Sequence, residues 1–197
     1  MKEYLDSMRR VVQQVYPLNN ADWAVFEAIW RPFEAKRKVI LTTSGEVERY
    51  VYFVIEGVQR AYAVGEDGRD VTLVFTYPPS FSGVADSFLL QKPSKYFFET
   101  LTPSRFIRAS FTQLDAVMLS NPAVERLIRL AISQTLAGVL ERQIELQSLS
   151  AEDRFKTLLK RSGHVLTMIP HKYLASYLGM DATNFSKLLA TVKIPNS

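Results

Sequence analysis

The sequence predicts an α+β protein: an N-terminal helical lead, an antiparallel β-roll, a long helix, and a C-terminal pair of helices joined by a tight turn. Three observations predict it. Apolar residues recur at helical spacing over residues 2–33, alternate over 36–112, and return to helical spacing from 113 onward. Turn signals punctuate the alternating segment, with no helix expected between its strands. The window 171–190, HKYLASYLGMDATNFSKLLA, meets the packing demands of two helices crossing through a short turn.

The chain of 197 residues is 47% hydrophobic and 22% charged, enough apolar side chain for a sizeable core and too much for intrinsic disorder. It has no cysteine, which excludes a disulfide framework, a thiolate zinc site and a cysteine nucleophile, and fits a reducing compartment. The opening MKEYLDSMRRVVQQVYPL lacks the apolar stretch of a signal peptide, and no long apolar run is present to span a membrane. The expectation is a soluble, cytoplasmic protein without membrane partners.

In order, a first helix is expected around Tyr4, Leu5, Met8, Val11, Val12 and Val15. Asn20 or Asp22 then caps a second helix through Trp23, Phe26, Ile29 and Trp30, which Pro32 ends. In the roll, YVYFVIEGVQRAYAV reads as strand, Glu56-Gly57 turn, strand, and Glu66-Asp67-Gly68 closes a hairpin onto VTLVFTY. YFFETL and SRFIRAS supply the last pair of strands.

Residues 113–149 read as one long helix with Pro122 near a first turn. Its apolar positions exceed one surface face. Ile128, Ile132, Leu136, Val139 and Leu146 can face a partner helix, while Leu127, Leu130 and Leu140 cover the roll. The alternative is a helix buried within a monomer. Ser150-x-x-Asp153 then starts a short helix that ends near Gly163. The boundaries are 1–118 for the roll and its lead, 119–149 for the long helix, and 150–197 for the C-terminal domain.

Charge concentrates in that last domain. Residues 1–150 balance 17 basic against 17 acidic side chains. Residues 151–197 carry Arg154, Lys156, Lys160, Arg161, Lys172, Lys187 and Lys193 against Glu152, Asp153 and Asp181. A basic end on a neutral body suits a polyanion, although a solvated basic helix has the same composition. Within 171–190, Ala175 is small where the helices must approach, Gly179 supplies the turn, and Asp181 caps the second helix. Leu174, Leu178, Phe185 and Leu188 fill the crevice. Read as a helix-turn-helix, this pair places Ala182, Thr183, Asn184, Ser186 and Lys187 toward bases of double-stranded DNA. His171 and Lys172, with Lys160 and Arg161, are placed for phosphates.

A helical lead, a roll, a long helix and a terminal helix-turn-helix, in that order, resemble the Crp/Fnr family of bacterial transcription regulators. The likeness is firmest over KRKVILTTSGEVERYVYFVIEGVQRAYAVGEDGRDVTLVFTYPPSFSG and over 171–190. It implies a cyclic-nucleotide-binding-type roll, a long helix that makes a homodimer, DNA-reading helices, and RNA polymerase as a further partner. The family's pocket uses Gly-Glu and, some ten residues on, Arg with Ser or Thr. In FSGVADSFLLQKPSKYFFE, Gly83 remains, Val84 replaces the glutamate, and Ser94-Lys95 replace the arginine pair. Losing the ribose acceptor and the phosphate fork argues against cyclic AMP as a tight ligand. Phe81, Val84, Phe88, Leu89 and Tyr96 are expected to line a space that takes another small molecule or is filled by the protein itself.

No cofactor is expected. An iron–sulfur cluster needs cysteines, and His164 and His171 both lie outside the roll, away from any haem axial position there. No phosphate loop, nucleophile elbow or roll histidine set points to an enzyme. The chain ends soon after the second helix, which leaves no room for a wing hairpin and predicts fewer DNA contacts. The competing reading is a ligand-binding or protein-interaction module that has lost DNA binding.

Overall fold

A computed structural model of the chain describes residues 1–192. Lys193, part of the basic excess, and the positions where a wing would follow lie outside the described residues. Helix α1 (Lys2–Val15) buries Met8 and Val12. Helix α2 (Asn20–Glu27) buries Trp23 and Phe26. Its cap is Asn19, not Asn20 or Asp22: the Asn19 side chain accepts from the Asp22 amide at 2.9 Å. Pro32 does not end this helix either. It lies inside strand β1 (Arg31–Ala35), where a missing N–H is tolerated because β1 is an edge strand.

Seven further strands follow: β2 (Ile40–Thr42), β3 (Tyr50–Glu56), β4 (Gln59–Val64), β5 (Asp70–Thr76), β6 (Ser80–Ser82), β7 (Phe97–Thr100) and β8 (Ser104–Ser110). They form two four-stranded antiparallel sheets, ordered β1-β8-β3-β6 and β2-β7-β4-β5. The Asp67-Gly68 hairpin joins β4 to β5 as expected, with Gly68 at φ +76°. The Glu56-Gly57 turn is a corner, because β3 and β4 belong to different sheets. Gly57 sits at φ +92°, and a side chain there would strike the Pro103 carbonyl and Ser104. YFFETL and SRFIRAS likewise do not pair with each other: β7 joins the second sheet and β8 the first. Alternation shows which residues share a face but not which strand lies alongside.

A helix that alternation did not predict, α3 (Ala85–Leu90), interrupts the roll between β6 and β7. The expected single helix over 113–149 is two. Helix α4 (Phe111–Ser120) starts on a Ser110–Gln113 capping box, and α5 (Pro122–Ser148) starts on Asn121 with Pro122 in its first turn. Then come α6 (Ala151–Ser162) on its Ser150 cap, the unpredicted α7 (Val165–Met168), α8 (His171–Tyr177) and α9 (Ala182–Thr191).

Three cores result. Tyr52, Val54 and Phe106 of the first sheet meet Ala61 and Phe98 of the second inside the roll. The helices α1, α2, α4 and the start of α5 cover the outer face of the first sheet through Trp30, Phe53, Ile107 and Leu127. The helices α6 to α9 pack around Phe155, Leu174 and Phe185 and include Val58 and Leu101 of the roll.

Beyond Ala131, α5 leaves the body. Leu136, Val139, Leu140 and Ile144 are each more than half exposed. Two assignments on this helix change. Ile128 packs against the helical core instead of facing outward, and Leu140 does not cover the roll. The roll is shorter along the helix than the apolar run, so the middle of α5 leaves these residues uncovered before Arg142, Glu145 and Leu146 meet the C-terminal helices.

Candidate nucleic-acid interface and effector cavity

The C-terminal pair closes as its spacing requires. At the end of α8 the Met180 amide donates to the Ala175 carbonyl at 3.1 Å, and the Gly179 amide to Ser176 at 3.0 Å. This double closure needs a left-handed residue, and Gly179 has φ +63°. A side chain at Gly179 would also meet Leu146 of α5 at 3.2 Å. Asp181 then caps α9, accepting from the Asn184 amide at 2.7 Å. Leu174, Ala175, Leu178 and Phe185 are buried, and the Phe155 and Phe185 rings meet edge-on at 5.3 Å.

Ala182, Thr183, Asn184, Ser186 and Lys187 are all exposed on α9, as are His171 and Lys172 on α8. The His171 ring lies 5.4 Å from that of Phe185, and Lys172 lies over the Tyr173 ring at 4.7 Å. The Ser186 hydroxyl donates back to the Ala182 carbonyl, which occupies its proton. The basic excess is smaller in space than in sequence. Lys156 pairs with Glu152 and Arg161 with Glu145, while Arg154 donates to the carbonyls of Leu146, Leu149 and Gly179. Arg161 thereby fastens α6 to α5. Among the described residues Lys160, Lys172 and Lys187 are the basic side chains of this domain outside ion pairs and not spent on backbone carbonyls as Arg154 is.

The helix pair is docked on the roll by contacts that sequence reasoning missed. The Ser176 hydroxyl accepts from the Thr72 amide and donates to the Asp70 carbonyl, both at 2.9 Å, which covers the free edge of β5. Arg60 is buried, its guanidinium 3.9 Å from the ring centres of both Tyr62 and Tyr173. It pairs with Glu99 at 2.6 Å and Asp70 at 2.5 Å. Burial alone would depress the Arg60 pKa, but hydrogen bonds and the charges of its two carboxylate partners raise it, so it stays a cation. The one sequence signal was a charged residue at the buried centre of QRAYAV with Glu99 in the neighbouring strand. On the far side, Arg142 of α5 lies over the Tyr177 ring at 4.2 Å and donates to the Tyr177 carbonyl. Between roll and helix pair lies a cleft of about 920 Å³. Asp181, Ala182, Asn184 and Lys172 face Asp67, Arg69 and Asp70 of the β4–β5 hairpin across it.

The expected effector residues divide. Phe81, Gly83, Val84, Phe88 and Leu89 line a cavity of about 190 Å³ between the roll and α5, closed by Ile128, Ile132 and Thr135. No charged side chain lines it; Thr76, Ser82 and Thr135, with Tyr50 and the Trp30 indole N–H, are its polar side chains. Gly83 adopts φ +121°, and Val84 is buried, starting α3. Ser94, Lys95 and Tyr96 do not reach this cavity. Ser94 is buried and its hydroxyl is spent on the Tyr96 amide and carbonyl, Lys95 is exposed, and Tyr96 packs into the roll core.

The Val84 amide points to a different carboxylate, Glu48, which also accepts from the Thr42 hydroxyl and the amides of Arg49 and Tyr50. Burial raises the Glu48 pKa despite these four donors. Among the described residues no helix is long and apolar enough to cross a membrane, and no group of three His, Asp or Glu could hold a metal ion.

Residues 32–121 match the cyclic nucleotide-binding domain family, and no curated protein matches the chain. Among solved structures, FixK2 from Bradyrhizobium japonicum superposes with a TM-score of 0.73 at 19% identity, covering 82% of this chain and 83% of that one. The c-di-GMP-responsive global regulator CLP from Xanthomonas campestris gives 0.65 at 18%, covering 87% and 90%. A protein from Eubacterium rectale described as a transcriptional regulator of the Crp/Fnr family gives 0.68 at 15%, covering 88% and 82%. Residues 32–121 thus carry the likeness to the cyclic nucleotide-binding domain family, and the chain as a whole has the fold of the Crp/Fnr regulators.

Proposed function

We propose that this protein is a homodimeric, DNA-binding transcription regulator of Crp/Fnr type, not an enzyme, whose effector cavity does not take cyclic AMP tightly. The observation that carries the reading is the doubly capped helix pair, which holds Thr183, Asn184 and Lys187 on one exposed face of α9. Asn184 would bond adenine through its amide, Thr183 would touch a base edge, and Lys187 would reach guanine or a phosphate. Lys172 and His171 would hold the backbone, with Ala182 and Ser186 close enough for apolar or hydroxyl contacts.

The second copy would cover the exposed Leu136, Val139, Leu140 and Ile144 of α5. A dimer doubles a modest set of base contacts. The cavity beneath α5 is apolar and small, so a cyclic phosphate entering it would lose water and gain no cation. A small apolar effector, or none, fits it better. Contact with RNA polymerase belongs to the same reading.

In the described arrangement the start of α9 faces Asp67 and Asp70, so DNA would have to part the helix pair from the β4–β5 hairpin. The test is fluorescence anisotropy against duplex from the gene's own upstream region and a random pool, at two salt concentrations, with and without cyclic AMP. Tight binding that falls steeply with salt and ignores the nucleotide is expected. Binding only with cyclic AMP would overturn the cavity argument. No binding at low salt would favour the ligand or protein module, for which the placing of the start of α9 across a cleft from Asp67 and Asp70 is the supporting observation.

A further inference from the structure

A second cavity, of about 620 Å³, opens at the mouth of the roll, away from α5. Its size suits a small organic molecule. It is lined by Phe33 of β1, Ile40 and Thr42 of β2, Tyr50 and Tyr52 of β3, and Arg108 of β8, with Glu46, Glu48 and Arg49 as its other charged residues. Arg108 alternates with the buried Ile107 and Ala109, so it shares the inward face of the first sheet with Phe106.

The Arg108 guanidinium is stacked between two rings, 3.8 Å from the centre of Phe33 and 3.9 Å from that of Tyr50. Both its faces are covered and its orientation is held. Unlike Arg60, it has no carboxylate: among the described residues Arg108 forms no ion pair. Beside these rings, the Tyr52 phenol is a polar neighbour near enough to feel its charge.

Glu48 does not fill the vacancy. Its two oxygens are turned to Thr42 and to the amides of Arg49, Tyr50 and Val84. Most of the guanidinium edge therefore faces the cavity with its donors unspent. That planar fork matches a carboxylate in two parallel hydrogen bonds. The lining also has an apolar part, formed by Val39, Ile40 and Leu41, and Ile40 is 48% exposed although its neighbour Thr42 is buried.

We propose that this cavity is a small-molecule site, separate from the one under α5, for an amphiphilic carboxylic acid whose carboxylate is clamped by Arg108 and whose apolar body lies on Val39, Ile40 and Leu41. The site does not depend on DNA binding, so its failure and the failure of the regulator reading are separable. Calorimetry of the full chain with octanoate, benzoate and inorganic phosphate tests it.

Saturable binding of at least one acid at one per chain is expected, with phosphate weaker. Arg108→Gln should weaken that acid at least tenfold, and Arg108→Lys, which keeps the charge and loses the fork, by less. Ile40→Glu, at a position 48% exposed, should abolish binding even if the Arg108 variants do not fold. Thr135→Val, in the cavity under α5, should leave it unchanged. No saturable binding of either acid, phosphate binding more tightly than both, or loss through Thr135→Val in place of Ile40→Glu would overturn the proposal.

Discussion

If the docked helix pair is a closed state, loosening it must strengthen DNA binding, and the contacts set by how much. Ser176→Ala removes a hydroxyl that satisfies the Thr72 amide and the Asp70 carbonyl. Each such bond contributes about 0.5–1.5 kcal/mol net. Tyr173→Leu removes one face of the Arg60 sandwich, a desolvated cation–π contact of about 2 kcal/mol. Neither residue lies on the outward face of α9.

Together they shift the closed-to-open balance by at least about 3 kcal/mol, or about a hundredfold. Apparent affinity scales with the open fraction, so a strongly closed native protein should gain by about that factor or more and through Ser176→Ala alone by at least about fivefold. The assay is fluorescence anisotropy on one duplex at one salt concentration, with circular dichroism melts to show that both variants fold. Folded variants with unchanged or weaker affinity would refute the closed state, because the broken contacts would then not oppose DNA.

Other outcomes follow from single contacts. Glu99→Ala strands buried Arg60 with only the partly exposed Asp70 and should cost about 3–5 kcal/mol in urea unfolding, whereas a loss near zero would mean water replaces the carboxylate. Gly179→Ala combines a left-handed backbone with a 3.2 Å approach to Leu146 and should cost at least about 1–2 kcal/mol, read as a lowered melting temperature. Leu136→Glu should shift the sedimentation velocity profile from dimer to monomer if α5 is the dimer helix; an unchanged profile would place the second copy elsewhere.

Glu48 supplies a pH test. Its folded pKa is raised by burial, so the folded state holds that proton more tightly than the unfolded chain does. The penalty is absent below the ordinary value of 4.5 and complete once pH passes the raised folded value. Native stability measured against Glu48→Gln should therefore fall as pH rises through that window, and a flat difference would show that the four donors cancel the burial.

Much of this protein is written locally. Asp67-Gly68, Ser150-x-x-Asp153, and Gly179 with Asp181 act through a residue's own backbone and its near neighbours, so their turns and caps stand where the residues do. The helix pair is legible for the same reason: its crossing constrains residues fewer than twenty positions apart.

What the tertiary structure decided is pairing and vacancy. Whether Glu56-Gly57 is a hairpin or a corner depends on strands fifty residues away. Pro32 reads as a helix stop until β8 shows it to be an edge-strand residue. Arg60, Arg108 and Arg161 are alike in sequence. One meets two carboxylates and a tyrosine of the helix pair, one is held between rings without a counter-ion, and one is tied to Glu145. Charge is a property of the residue, but the partner that neutralises it is brought by the fold, and that partner determines whether an arginine fastens the structure or stays available to a ligand.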